Sequence, residues 1–146
     1  DVLVGGRKLA GVLCELSSDQ ERVAWAVAGI GLNVRPVPDA DGMRWPPASL
    51  EGAGRPVRRA DALAAVLAAL ARRYGAWLEG GAAEALGAFA RRDHLVGRQV
   101  RLMLGSREVA GEALGLDDLG RLRVRTPEGE RALASGEVTK VGGPGA

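Results

Sequence analysis

Gly5-Gly6-Arg7-Lys8-Leu9-Ala10-Gly11-Val12-Leu13-Cys14-Glu15 is the stretch on which the fold of this 146-residue chain turns. Apolar Val2-Leu3-Val4 precedes it, and a largely apolar run from Lys8 to Leu16 follows the glycine pair. Two strand-like runs joined by a two-residue glycine turn predict a β-hairpin. Its lysine stands out chemically. The chain holds eighteen arginines and only two lysines, Lys8 and Lys140. The lysine ammonium is a compact point charge and the arginine guanidinium a broad planar fork. A lysine kept in so arginine-rich a sequence therefore points to a place that needs a point charge. The alternative is an ordinary solvated hairpin residue.

Working outward, Asp19 to Arg22 form a polar turn, and Val23 to Val34 form a second long apolar run. That run predicts a buried strand, whose Gly29 and Gly31 allow a bulge or the close approach of a ligand. Arg35 to Arg59 is rich in Pro, Gly and Asp and lacks periodicity, as functional loops often do. From Asp61 the period changes. Leu63, Val66, Leu67, Leu70, Tyr74, Trp77 and Leu78 recur at helical steps, with Asp61 as the expected N-cap and Gly80-Gly81 as the stop. A shorter helix is expected from Ala82 to Arg92, with Leu86 and Phe89 facing inward and the aromatic residues in the core. Beyond His94, five short strands separated by turns predict a small β-barrel. The expected fold is α+β: a partial mixed or antiparallel sheet with two helices in residues 1–94, a small barrel in 95–142, and a disordered tail in 143–146.

Composition narrows the function classes. With 47% hydrophobic and 26% charged residues the chain has material for a core and a solvated surface. No window approaches the roughly 18 apolar residues of a membrane span, so no membrane partner is expected. Residues 1–94 carry 12 cations against 11 anions, and residues 95–146 carry 8 against 7. Nucleic-acid readers concentrate basic charge on one element, so a nucleic-acid partner is not expected either. One cysteine and one histidine leave no internal disulfide and no structural zinc cluster. Cys14 reads as a small buried hydrophobe, and a cytoplasmic location is expected. A strand that begins directly after Asp1, with no turn or cap before it, suggests a cut inside a larger domain.

Two segments carry chemistry. If the strands bearing Lys8 and Gly29-Ile30-Gly31-Leu32-Asn33 are neighbours, an ammonium and a carboxamide converge on one mouth. A cation there stabilises a carboxylate or phosphate whose charge grows in a transition state. An Asn amide both donates to and accepts from an adenine-like edge, and bare glycines let a flat ligand lie on the backbone. A polar residue that merely ends a strand remains the alternative for Asn33.

Asp1 followed by Arg7-Lys8-Leu9-Ala10-Gly11-Val12-Leu13-Cys14-Glu15 resembles the central motif of biotin protein ligases. There a Lys/Arg-Trp-Pro-Asn-Asp run leads through a short hairpin to Lys-x-x-Gly-apolar-apolar-x-Glu. Gly29-Ile30-Gly31-Leu32-Asn33-Val34 is similar to the family's next motif, and Pro47-Ala48-Ser49-Leu50 to the segment before its next helix. The resemblance implies a truncated class II synthetase-like catalytic core in residues 1–94 and a Src-homology-3-like barrel in 95–142. It also implies chemistry. ATP with Mg²⁺ and biotin give biotinyl-5′-AMP, and a lysine of a biotin carboxyl carrier protein then takes the biotinyl group. Lys8 corresponds to the catalytic lysine and Asn33 to the residue that bonds adenine, while Gly11 and Gly31 line the pocket. Asp1 is expected to hold nucleotide or metal, and Trp45 to offer adenine a stacking face. A homodimer through sheet edges is a further expectation.

The family's Gly-Arg-Gly-Arg-x-x-Arg loop does not occur in these residues, so the chain alone is expected to ligate biotin poorly. Two alternatives remain open: a lipoate ligase or lipoyl transferase, and a non-catalytic protein-interaction module.

Overall fold

The computed structural model describes residues 1–19, 22–39, 43 and 45–144. The chain divides into two compact units, Asp1–Ala68 and Ala69–Ala146. In the first, β1 (Val2–Val4), β2 (Arg7–Ser18) and β3 (Val23–Leu32) form an antiparallel sheet in that order. Gly5 and Gly6 have φ of 55° and 73°. Those are the two left-handed positions that a tight primed hairpin turn demands, and a side chain would strain both.

β2 and β3 stay in register from Ala10↔Leu32 to Ser17↔Trp25. Opposed residues share a face and successive residues alternate. One face therefore carries Ala10, Val12, Cys14, Leu16, Ala26, Ala28, Ile30 and Leu32, and it is apolar throughout. The other carries Gly11, Leu13, Glu15, Trp25, Val27, Gly29 and Gly31. Beyond β3 the chain returns to this sheet, where Pro47 makes an isolated parallel bridge to Lys8.

Helix α1 (Arg59–Gly80) begins two residues before the expected cap. Asp61 lies inside the first turn, where the guanidinium of Arg58 grips its carboxylate at 2.8 Å. A carboxylate there also suits the positive end of the helix dipole. Gly81, with φ of 73°, stops the helix, and its N–H donates to the carbonyl of Trp77. Helix α2 spans Ala83–Ala90.

The second unit holds β4 (Arg98–Leu104), β5 (Arg107–Leu116), β6 (Leu122–Thr126), β7 (Gly129–Leu133) and β8 (Glu137–Pro144). They pair antiparallel in the order β7-β6-β5-β4-β8. Val100, Leu102, Ala113 and Val124, each exposed by 2% or less, form its core, flanked by half-buried Leu95, Leu122, Leu133 and Val138. The opposite face carries crossed ion pairs, Arg101–Glu108, Arg125–Glu112 and Arg123–Glu130. The fold is thus α+β, with two helices and two antiparallel sheets.

Four expectations from the sequence are corrected. The Val23–Val34 run is a strand only to Leu32, and nearly all of it is exposed. Among the described residues of its unit, no helix or further strand covers either face of β3, so its apolar character does not become burial. Cys14, opposite Ala28 on the same uncovered sheet, is exposed as well. Phe89, Tyr74 and Trp77 are also exposed. Tyr74 and Trp77 pack on each other instead, with ring centroids 5.5 Å apart, and Leu86 of α2 is half-buried and approaches Gly120. Lastly, β8 runs on through Gly143 and Pro144, where an irregular tail was expected; Gly145 and Ala146 lie outside the described residues.

Candidate functional site

The site grows from the β1–β2 hairpin. Val4↔Arg7 and Leu3↔Lys8 pair in step from the turn, but Val2 pairs with Ala10, which leaves Leu9 as an extra residue on β2. Such a bulge re-aims the side chains around it. The ammonium of Lys8 comes to rest beside Gly11, where a Cβ would stand 3.4 Å from both Cε and Nζ. There it meets the carboxylate Oδ1 of Asp1 at 2.6 Å. Both side chains are partly exposed, 43% for Lys8 and 31% for Asp1. A pair at that depth contributes about 1 kcal/mol or less to stability, so its effect is placement.

The backbone of Lys8 is held on every side. Its N–H donates to the carbonyl of Pro46 at 2.8 Å, and its carbonyl accepts from the N–H of Ala48 at 2.8 Å. The same carbonyl accepts from Nδ2 of Asn33 at 3.2 Å. Asn33 Nδ2 also donates to the carbonyl of Ala48 at 3.0 Å, so the amide ties β2 to the 46–50 segment. The ladder continues past β3, since the Asn33 N–H donates to the carbonyl of Leu9 at 3.0 Å.

Register then sets which groups share a face. Gly11 and Gly31 oppose each other, and Asn33 lies two residues beyond Gly31 on the same side by strand alternation. Lys8 Nζ, over Gly11, is on that side too. The structure brings Lys8, Asp1, Gly11, Gly31 and Asn33 onto one face, and a Cβ at Gly31 would meet nothing within 4 Å. Glycine at both positions leaves a flat floor beside an ammonium. Trp45 is half-buried and directly precedes Pro46, which places its backbone next to the Lys8 strand.

Sequence reasoning overlooked Arg7. Its Nε donates to the carbonyl of Pro47 at 3.0 Å, and its guanidinium lies 3.6 Å from Asp39. It thereby fastens the 35–50 segment to the hairpin. Its place beside Lys8 in the sequence was the available signal.

The sequence and the fold have counterparts among known proteins. Residues 95–141 match the family model for the biotin protein ligase C terminal domain. The chain is 32% identical to the biotin–[acetyl-CoA-carboxylase] ligase of Paracoccus denitrificans, over 94% of this chain and 59% of that one. It is 29% identical to the bifunctional ligase/repressor BirA of Bacillus subtilis (strain 168), over 94% of this chain and 43% of that one. The chain is a relative of the biotin protein ligases. It spans about half the length of these curated relatives. The crystal structure of biotin protein ligase from Aquifex aeolicus is similar to it with a TM-score of 0.78 at 27% identity, covering 95% of this chain and 60% of that one. The same ligase in complex with biotin and ATP gives a TM-score of 0.76 at 26% identity, covering 95% and 58%.

Among the described residues, no helix is long and apolar enough to cross a membrane. No group of three or more His, Cys, Asp and Glu side chains among them is placed to hold a metal ion.

Proposed function

We propose that this chain carries the lysine side of an ATP-dependent biotin–protein ligase site. The observation that supports the reading best is the ammonium of Lys8 seated over Gly11, on the face shared with Gly31 and Asn33. In the first step a carboxylate oxygen of biotin attacks the α-phosphorus of ATP, and pyrophosphate leaves. In the second, the amine of an acceptor lysine on a biotin carboxyl carrier protein attacks the acyl carbon. AMP departs and the amine loses a proton. Both substrates of the first step are anionic. Lys8 neutralises them as they approach and stabilises the charge that builds between them.

Gly11 and Gly31 form the floor on which the acyl-adenylate lies. Asn33 meets the adenine edge through Oδ1, because its Nδ2 is committed to the carbonyls of Lys8 and Ala48. Trp45 offers the base a stacking surface. Mg²⁺ arrives with the phosphates, as it commonly does when a protein supplies one or two carboxylates rather than a cage. Residues 1–94 then belong to a class II synthetase-like core, and 95–142 to a Src-homology-3-like barrel. The protein works in the cytoplasm, and its sheet edges suit a homodimer. No Gly-Arg-Gly-Arg-x-x-Arg run occurs in residues 1–146, so these residues by themselves transfer biotin poorly.

The test is adenylation of biotin and labelling of an acceptor domain by the protein as expressed from its own gene, with residues 1–146 assayed beside it. Lys8→Ala should cut adenylation at least about 100-fold, the usual scale for losing one preorganised charge-stabilising group. A loss of only a few-fold overturns the role of Lys8. Preferential activation of lipoate over biotin overturns the substrate, and robust turnover by residues 1–146 overturns the statement that they are insufficient alone.

A further inference from the structure

The bulge at Leu9, Gly11 and Asp1 together fix one ammonium. Without the extra residue in β2, Lys8 would share a face with Ala10 and Val12, on the apolar side of the sheet. With it, Lys8 emerges on the side of Gly11. Carrying the Val2↔Ala10 pairing one residue further sets Asp1 opposite Gly11. Asp1 Oδ1 is then 2.6 Å from Lys8 Nζ and would lie 3.6 Å from a Cβ at Gly11. A lysine side chain has a flexible four-carbon stem. Here both ends are held, the backbone by Pro46, Ala48 and Asn33 and the tip by Asp1.

We propose that Asp1 is the positioning residue for Lys8, a role distinct from holding nucleotide or metal. This rests on the reading that Lys8 neutralises the reacting anions. An ammonium has three N–H donors. Asp1 takes one and fixes the direction of the tip, which leaves two to be offered together, one to the carboxylate and one to the phosphate. Neutral Asn at position 1 keeps the size of the side chain but loses the charge-assisted bond that aims the tip. Its effect falls on the rate once substrates are bound, because misplacement of a reacting group by about 1 Å is felt mainly in the chemical step.

The experiment is single-turnover adenylation by the protein expressed from its own gene, comparing Asp1→Asn, Asp1→Glu and Lys8→Ala. Titrations of ATP and Mg²⁺ separate kcat from KM. Asp1→Asn should lower kcat roughly 10- to 100-fold while KM for ATP and the Mg²⁺ requirement change little. Asp1→Glu should restore most of the rate, since a carboxylate is again in reach. In ¹⁵N-lysine-labelled protein the Lys8 ammonium signal, sharp in the parent, should broaden in Asp1→Asn and return in Asp1→Glu, which reports positioning independently of turnover. A raised KM for ATP or a raised Mg²⁺ requirement with kcat intact overturns the proposal and assigns Asp1 to the nucleotide and metal. So does Asp1→Asn at parental kcat while Lys8→Ala is inactive. If Lys8→Ala itself turns over normally, the functional reading falls first and this inference falls with it.

Discussion

The two sheets treat their apolar residues in opposite ways. In the five-stranded sheet, alternation along β4, β5 and β6 turns Val100, Leu102, Ala113 and Val124 inward until almost nothing of them is exposed, while the arginines and glutamates between them pair on the outer face. In the three-stranded sheet Val12, Leu13, Leu16, Trp25, Val27 and Ile30 are all exposed. What is held most closely there is polar: Lys8 by four partners counted over backbone and side chain, and Asn33 by bonds to four different residues from its backbone and amide. The first region spends its sequence on burial and the second on positioning. That is the division expected where one part supplies stability and the other presents groups to a ligand.

The sharpest way to break this comparison is at Gly111. A Cβ there would stand 2.2 Å from the carbonyl oxygen of Arg125 and 2.8 Å from Cγ1 of Val124. The nearest atom belongs to the backbone of a paired strand and has no rotamer in which to move aside. Gly111→Ala should cost at least about 3 kcal/mol, the upper end for overpacking, and hydrogen exchange should speed up across β5 and β6. Parental exchange rates would mean that the two strands are less tightly matched than they stand here. A smaller, paired effect follows. Val124→Ala removes buried methyls and leaves a cavity, for a loss of about 2–3 kcal/mol. Leu13→Ala, at a residue 68% exposed, should change stability by no more than about 0.5 kcal/mol. Urea unfolding measures both, and equal losses would erase the contrast between the sheets.

Particular residues show what was legible in advance. The glycine pair at 5 and 6 announced the hairpin, because few other residues accept two successive left-handed positions. The close spacing of turns beyond His94 announced the five short strands β4 to β8. Lys8, Gly31 and Asn33 could be singled out by residue type and spacing alone. The extra residue at Leu9 could not, since a bulge leaves no mark in a run of apolar residues, and the bulge decides which face receives the ammonium. Nor could the direction of the Asn33 amide, which depends on where the 46–50 segment comes to lie. Burial of β3 was misjudged for a related reason. An apolar strand records that it can be covered, and whether it is covered depends on neighbours that no local pattern encodes.

The smallest effect concerns pH, at the turn between β5 and β6. The Asp117 side chain is 18% exposed. Partial burial alone would push its carboxyl up. The N–H of Arg121 at 2.8 Å, the Arg121 guanidinium at 2.6 Å and the N–H of Leu119 at 3.0 Å together outweigh that and hold it below the usual carboxylate range. A carboxyl lowered in the folded chain binds fewer protons there than in the unfolded chain, where it titrates near about 3.9. Its contribution is therefore complete above the unfolded value and fades as pH falls through the folded one. Asp117→Asn removes this titration, so its stability should fall less steeply than the parent's between about pH 5 and pH 3. Urea midpoints across that interval measure the slope. The contribution also belongs to the buried sheet, since this turn sets the register of β5 against β6. An acid slope identical in the two proteins would mean that the turn is held by backbone bonds alone, Asp117 N–H to the Arg121 carbonyl and Gly120 N–H to that of Asp117.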